Sequence, residues 1–369
     1  MARRRADAGL DLALVMTRPG PALHAGLTSR LGAALQRQWW INPPSLPAQA
    51  LRPLAGLYAQ LVRLQRWRQR PQALDLPVVV VGNLIVGGAG KTPTTIAVVR
   101  LLRAFGWHPG VVSRGHGRRS DGIVAVSRDS RASDCGDEPL LIRLRTGMPV
   151  MVGADRVATA RALCAAHPQV DIIVADDGLQ HHRLARNLEI IVFDERGAGN
   201  NLLLPAGPLR EALPGRTPAR TVVLYNAPRV TTHLPGWMAS RRLKGLVPLA
   251  AWWQGQAADA VHWQALRAAP VLAVAGMAAP ERFFAMLREQ GLTQLDTLAL
   301  PDHHAFDELP WPASTADVIV TEKDAVKLRP DALPGPLGAT RIWVAPLDFE
   351  PEVAFAAALK RYYPHPPKY

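Results

Sequence analysis

The sequence predicts an α/β protein: a parallel-sheet domain, a second and smaller α/β domain after it, and an amphipathic helical segment ahead of both. Three observations carry this. Apolar runs such as Val78-Val79-Val80-Val81 alternate with helix-like stretches up to Tyr225, the order that builds a parallel sheet with crossover helices. The alternation returns after an interval rich in Pro, Trp and Arg that starts near Ala227. Leu51 to Arg70 places leucines at helical spacing, away from an arginine sector. At 369 residues the chain is long enough for two domains with their own cores. The expected divisions are 1–28, a tail or extension; 29–72, amphipathic helices; 73–228, the parallel-sheet domain; and 229–369, the smaller domain closing over the active site.

The chain opens Met1-Ala2-Arg3-Arg4-Arg5, like the charged start of a secretory signal. Asp7 and Asp11 break the apolar stretch that follows, so it reads as a disordered tail. Nowhere is there a run of about 18 apolar residues, so no transmembrane span is expected. From Leu12 to Leu74 there is no acidic residue and there are eight arginines. On a helical wheel Leu54, Leu57, Tyr58, Leu61 and Leu64 share one face, while Arg52, Arg63, Arg66 and Arg70 lie opposite. With Trp39-Trp40 just upstream, this suits a helix lying on an anionic membrane surface. The alternative is a helix packed on its own domain, with its arginines in water.

The strand 78–81 runs into Gly82-Asn83-Leu84-Ile85-Val86-Gly87-Gly88-Ala89-Gly90-Lys91-Thr92-Pro93, and a helix is expected from Thr94 to Phe105. Glycines after a buried strand let backbone N–H groups turn inward on phosphate oxygens, and the helix N-terminus adds positive potential. Lys91 reaches the β- and γ-phosphates, and the Thr92 hydroxyl ligates Mg²⁺. The chain has six lysines against 37 arginines, so a lysine here is not compositional noise. The string is not the strict GxxxxGK[ST] pattern, since Ile85 stands where that pattern has glycine. It still predicts a P-loop NTPase-like sheet domain.

Further strands are expected at 110–112, 150–152, 171–175, 188–193 and 221–225, with a helix at 156–166. The strand 171–175 ends in Asp176-Asp177, which places a carboxylate across from Thr92 as a Mg²⁺ partner. In the smaller domain strands are expected at 271–275 and 317–320, with a helix from Pro280 to Gln290. Lys323 and Lys327 either face the cleft or lie on a solvated helix. The tail from Tyr362 to Tyr369 should fray.

Taken together, the strings resemble the tetraacyldisaccharide 4'-kinase family of lipid A biosynthesis. They are the loop at 82–93, Ser113-Arg114-Gly115, Gly136-Asp137-Glu138-Pro139, Asp176-Asp177-Gly178-Leu179-Gln180-His181, Gly207-Pro208-Leu209-Arg210-Glu211, Asp302-His303-His304 and Thr321-Glu322-Lys323-Asp324-Ala325-Val326-Lys327. They stand in the family's order and span residues from about 30 to 350. The resemblance implies transfer of the γ-phosphate of ATP to the 4'-hydroxyl of an acylated glucosamine disaccharide 1-phosphate, giving lipid IVA. It also implies Mg²⁺ and a peripheral position on the cytoplasmic face of a Gram-negative inner membrane. Asp137 would be the base, paired with a histidine aligned to His303. Thr92, Asp176, Asp177 and Glu211 would form the metal and nucleotide shell, with Gln180 and Arg210 as positioning residues. Gly87, Gly88, Ala89, Gly90, Lys91, Thr92 and Pro93 would hold the nucleotide.

The bulk numbers agree. A net charge of +13 favours an anionic partner, and no zinc or aromatic signature of a nucleic-acid module appears. Two cysteines, Cys135 and Cys164, make no disulfide framework. No obligate protein partner is evident. The runner-up reading is a non-kinase P-loop ATPase that switches partners on hydrolysis. A membrane-surface protein with a vestigial loop is a third.

Overall fold

Four consecutive valines are buried on both sides only in a strand covered by helices on both faces. Val78–Gly82 (β1) is such a strand, with every residue buried. The computed structural model describes residues 32, 34–333 and 340–366. The tail expected at 1–28 and the last three residues of the expected frayed end lie outside them. The strands after β1 are β2 (Pro109–Ser113), β3 (Val124–Val126), β4 (Val150–Val152), β5 (Ile172–Asp176), β6 (Leu188–Asp194), β7 (Thr221–Asn226) and β8 (Trp237–Leu243). Then come β9 (Val247–Pro248), β10 (Val271–Gly276), β11 (Leu295–Leu300), β12 (Asp317–Thr321), β13 (Arg341–Ala345) and β14 (Leu347–Pro351).

They form two sheets, ordered β14-β8-β7-β6-β1-β5-β2-β4-β3 and β11-β10-β12-β13-β9. From β8 to β4 every neighbour in the large sheet is parallel, and β14 and β3 close its edges antiparallel. Val79, Val81, Ile172 and Val174 pack into one core with the helices Lys91–Ala104 and Asp137–Thr146. Val78, Val80, Ile173 and Ala175 face the helix Arg156–Ala166 on the other side. The α/β parallel-sheet class expected from the alternating pattern is the class observed.

The first of these cores continues into the second sheet through Val247, Trp252, Val274, Val318 and Val320. The two sheets therefore share buried apolar surface. The strand set also differs from the expected division at 228/229. β8 and β14 join the large sheet. Tyr363, at the end of the helix Val353–Tyr362, meets the Trp107 ring edge-on at 5.8 Å and accepts from its indole N–H. Residues 237–243 and 347–363 thus pack with the first unit.

The helix Arg52–Arg68 is present, and no described helix is long and apolar enough to cross a membrane. Ala55 is buried and the Tyr58 hydroxyl donates to the Arg210 carbonyl at 3.0 Å, which pins the helix to the loop bearing Arg210. Tyr58 therefore turns toward the protein, off the apolar face expected for it. The leucines on that face stay in water: Leu54 is 53% exposed, Leu57 59% and Leu64 43%. Trp39 and Trp40 differ from expectation, since both pack on the protein. The Trp39 indole donates to the Pro205 carbonyl and Arg196 stacks over Trp40. Trp67, at 81% exposure, is the indole left in solvent beside the leucines.

Candidate active site

The C-terminal ends of β1, β5, β6 and β7 converge on one edge of the large sheet, where parallel sheets bind ligands. The loop after β1 is shaped by Gly87 and Gly90, both at φ near +90°. A side chain at Gly90 would overlap the Asn226 amide as well as force a left-handed backbone. The helix starts at Lys91, three residues ahead of the expected Thr94. Gly90 supplies the turn that lets it begin there, and Thr94 instead donates its hydroxyl to the Gly90 carbonyl at 2.8 Å. Gly87 and Gly88 are exposed, Ala89 and Thr92 buried, and Pro93 half-buried in the first turn.

Lys91 Nζ lies 3.4 Å from Asn83 Oδ1 and 3.7 Å from Asp177 Oδ2. Arg210 reaches the other Asp177 oxygen at 3.5 Å and donates to the Asn83 carbonyl at 2.9 Å. Burial works against the Asp177 charge, but Lys91 and Arg210 outweigh it and hold its carboxyl below the ordinary value. Gln180 donates to the Asn83 carbonyl and to Glu211, each at 3.3 Å. Burial raises the Glu211 carboxyl despite Arg66 nearby. Arg66 is exposed like the other arginines of its sector, but its charge is felt at the site. His182, 3.6 Å from Glu211, is pushed down to about 4 by burial and by Arg186 and Arg66, so it stays neutral at pH 7.

Asp176 ends β5 and is 1% exposed. Its oxygens accept from the Thr95 hydroxyl at 2.9 Å and the Ser113 hydroxyl at 3.1 Å. Burial first, then the charges of Glu138 and Asp177, push its carboxyl up to about 7. Thr92 lies one turn before Thr95 on the same helix face and is buried. Among the described residues no group of three or more His, Cys, Asp or Glu stands close enough to cage an ion. The set suits Mg²⁺, which takes one or two carboxylates and completes its shell with water and phosphate oxygens.

The second unit enters through the loop at 302–304. His303 Nδ1 lies 2.9 Å from Asp137 Oδ2, at the first turn of the helix Asp137–Thr146. The Asp137 contact, against the opposing effect of burial, raises the His303 imidazole above its ordinary value. Burial opposes the charge on Asp137, but His303 and Lys323 hold its carboxyl below the ordinary value. His303 adopts φ 61°, a left-handed backbone at a non-glycine residue, which aims its ring across the interface. His304 turns away: its Nδ1 accepts from the Phe306 backbone, and its ring meets Phe306 edge-on at 4.8 Å.

Lys323 is not on a solvated helix. Its Nζ sits 3.1 Å from Asp302, 3.3 Å from Glu138 and 4.0 Å from Asp137. Burial disfavours this charge, but the three carboxylates more than offset it and raise its pKa. Lys327 pairs with Asp324 at 2.9 Å instead. Lys323 takes the cleft-facing alternative, and Glu138, Asn83, Thr95 and Ser113 join the site without having been singled out from the sequence. All of them stand in or beside strings that carried the resemblance. What was missing is the distance between strings.

With this geometry in view, the comparisons with known proteins are direct. The family model described as tetraacyldisaccharide-1-P 4'-kinase matches residues 47–363. The chain belongs to the tetraacyldisaccharide-1-P 4'-kinase family. A tetraacyldisaccharide 4'-kinase of Methylibium petroleiphilum is 59% identical over 335 residues, 89% of this chain and 93% of that protein. One of Leptothrix cholodnii is 54% identical over 342 residues, 91% of this chain and 97% of that protein. A crystal structure of LpxK from Aquifex aeolicus, in complex with ATP, is similar with a TM-score of 0.68. At 22% identity over 86% of this chain and all of that one, it supports the fold.

Proposed function

We propose that this chain transfers the γ-phosphate of ATP to the 4'-hydroxyl of tetraacyldisaccharide 1-phosphate, giving lipid IVA, with Asp137 as the base and Lys91 on the transferred phosphate. The observation that carries the reading is the Asp137–His303 contact between the two units. Loop N–H groups and Lys91 neutralise the phosphates, which is most of what phosphoryl transfer asks of a protein. A loose transition state leaves the hydroxyl proton on oxygen until late, so a carboxylate of low pKa suffices as its acceptor. His303 donates to Asp137 and orients it. Lys323 holds Asp302 and Glu138 around the pair and keeps Asp137 ionised.

Thr92 and Asp176 would hold Mg²⁺, with Asp177 and Glu211 around them. Bound there, the ion would supply charge neutralisation for the nucleotide phosphates. Gln180 and Arg210 position Asn83 and the acidic residues beneath the loop. The test is transfer from ATP labelled on its γ-phosphate. The label should enter the lipid fraction, and ADP release should depend on the disaccharide lipid. Lipid-independent ADP release would favour the partner-switching ATPase.

The acceptor carries acyl chains, and the exposed leucine face of Arg52–Arg68 supports peripheral attachment to an anionic membrane. Tyr58 ties that helix to the loop bearing Arg210 and Glu211, so attachment brings the site to the bilayer surface. Arg52, Arg63 and Arg70 are free to meet lipid headgroups, each worth about 1 kcal/mol near the surface. Leu57→Glu with Leu61→Glu should abolish sedimentation with anionic vesicles. Arg63→Glu with Arg70→Glu should weaken it and flatten its salt dependence. Unchanged sedimentation in both pairs would leave the helix a solvated element of the fold.

A further inference from the structure

A phosphate-binding loop works only if its N–H groups point at the ligand, and then its carbonyls must point away. A short glycine-rich loop does not hold that arrangement by itself, because glycine populates both signs of φ. Here the outward carbonyls are taken in order. The Asn83 amide donates to the Gly87 carbonyl at 2.9 Å, Arg196 to Gly88 at 2.8 Å, and the Asn226 amide to Ala89 at 3.2 Å. Thr94, on the loop's own helix, takes Gly90.

The three outside donors come from neighbouring strand ends. Asn83 follows β1, Arg196 stands two residues past β6, and Asn226 is the last residue of β7. β1, β6 and β7 are consecutive in the sheet. The loop therefore crosses three strand ends and is fastened once at each. Arg196 is itself anchored: its Nε donates to Asp194 at 2.9 Å, and its guanidinium stacks 4.7 Å from the Trp40 ring centre. Asp194 is 1% exposed.

We infer that Asn83, Arg196 and Asn226 are positioning residues that hold the loop carbonyls outward and thereby preorganise its N–H groups for nucleotide phosphate. Asn226 separates this role from stability. It is 4% exposed, and its Oδ1 has no partner. An unpaired buried carbonyl destabilises a fold. The amide at 226 is retained for its one bond, to the loop.

The inference rests on the loop at 87–92 being the nucleotide site, and the test distinguishes that premise from the positioning role. ADP and a non-hydrolysable ATP analogue are titrated onto the full chain by calorimetry, alongside thermal unfolding. Asn226→Leu, close in volume and neutral, should weaken both ligands about tenfold while the unfolding temperature stays level or rises. Arg196→Ala should weaken both ligands as well, but it strips a partner from buried Asp194 and should also lower the unfolding temperature, so Asn226→Leu is the variant that separates the two roles. Arg196→Lys should recover only part of the affinity, because an ammonium cannot serve Asp194 and Gly88 in one plane. The KM for the lipid acceptor should not move. Affinity unchanged in Asn226→Leu and Arg196→Ala, with Lys91→Ala still weakening it, overturns the positioning role. Affinity unchanged in all three variants places the nucleotide elsewhere and overturns the premise. Loss of affinity in step with loss of thermal stability in Asn226→Leu makes the contacts structural and also overturns the inference.

Discussion

Lys91→Ala should lower phosphoryl transfer on the order of 10²-fold or more, with the fold intact. Lys91 is the cation at the first turn of the loop helix, and its ammonium stands between Asn83 and Asp177. In the proposed reaction its charge would follow the phosphoryl group as negative charge shifts toward the leaving oxygen. No backbone N–H can do that, because the loop is fastened in place. A 10²-fold loss corresponds to about 2.7 kcal/mol of transition-state stabilisation. The side chain borders the site and is absent from the hydrophobic core, so the unfolding temperature should stay within a few degrees of the wild type. Single-turnover transfer with saturating lipid measures the loss. Near-normal turnover would remove the loop lysine from the mechanism.

Asp137 and His303 should behave as one unit. Asp137→Ala and His303→Ala should each lower kcat far more than the affinity for ATP, since neither residue contacts the loop at 87–92. The double variant should be little worse than the more damaging single one, because groups that act together are not additive. His304→Ala should cost much less, as that ring packs on Phe306. Fully additive losses would mean two independent roles. The pair also sets a pH dependence whose sign follows from the shifts. His303 is raised, so its contribution to stability is full below about pH 6.5 and is lost as pH rises through its folded value. Asp137 is lowered, so its contribution is present above about pH 3.9 and is lost as pH falls through its folded value. The contact between the units is therefore strongest between those limits. In Asp137→Asn the His303 imidazole should titrate at lower pH, which proton NMR of its ring reads directly.

The chemistry of the nucleotide half was legible in the chain because it is local. Four valines, four glycines and a Lys-Thr pair within fifteen residues specify a strand, a turn and a helix start by backbone sterics and burial alone. The Asp176-Asp177 pair was legible for a similar reason, since an apolar strand of five residues delivers its last side chains to the sheet edge. Helix starts were less so. The helix begins at Lys91 rather than Thr94 because Gly90, backed by Asn226 from β7, makes the turn earlier.

What only the tertiary structure decided is which distant groups meet. Asp137 and His303 are 166 positions apart, and nothing local to Asp302-His303-His304 says which ring crosses the interface. The left-handed backbone at His303 decides it, and that backbone is stabilised by contacts with the other unit. Lys323 reads as a solvated helix charge until three carboxylates from two units surround it. Trp39 and Trp40 read as interfacial residues until the loop after β6 covers them, leaving Trp67 in the solvent. The strands β8 and β14 complete one side of the large sheet from beyond the expected boundary, because strand pairing depends on which edge is open and not on position in the chain. The sequence by itself determined a phosphate loop, its acidic partners and the parallel sheet that presents them, all properties of short segments. The paired base, the cation beside it and the fastening of the loop carbonyls depend on side chains brought together across long separations, and packing alone supplies those distances.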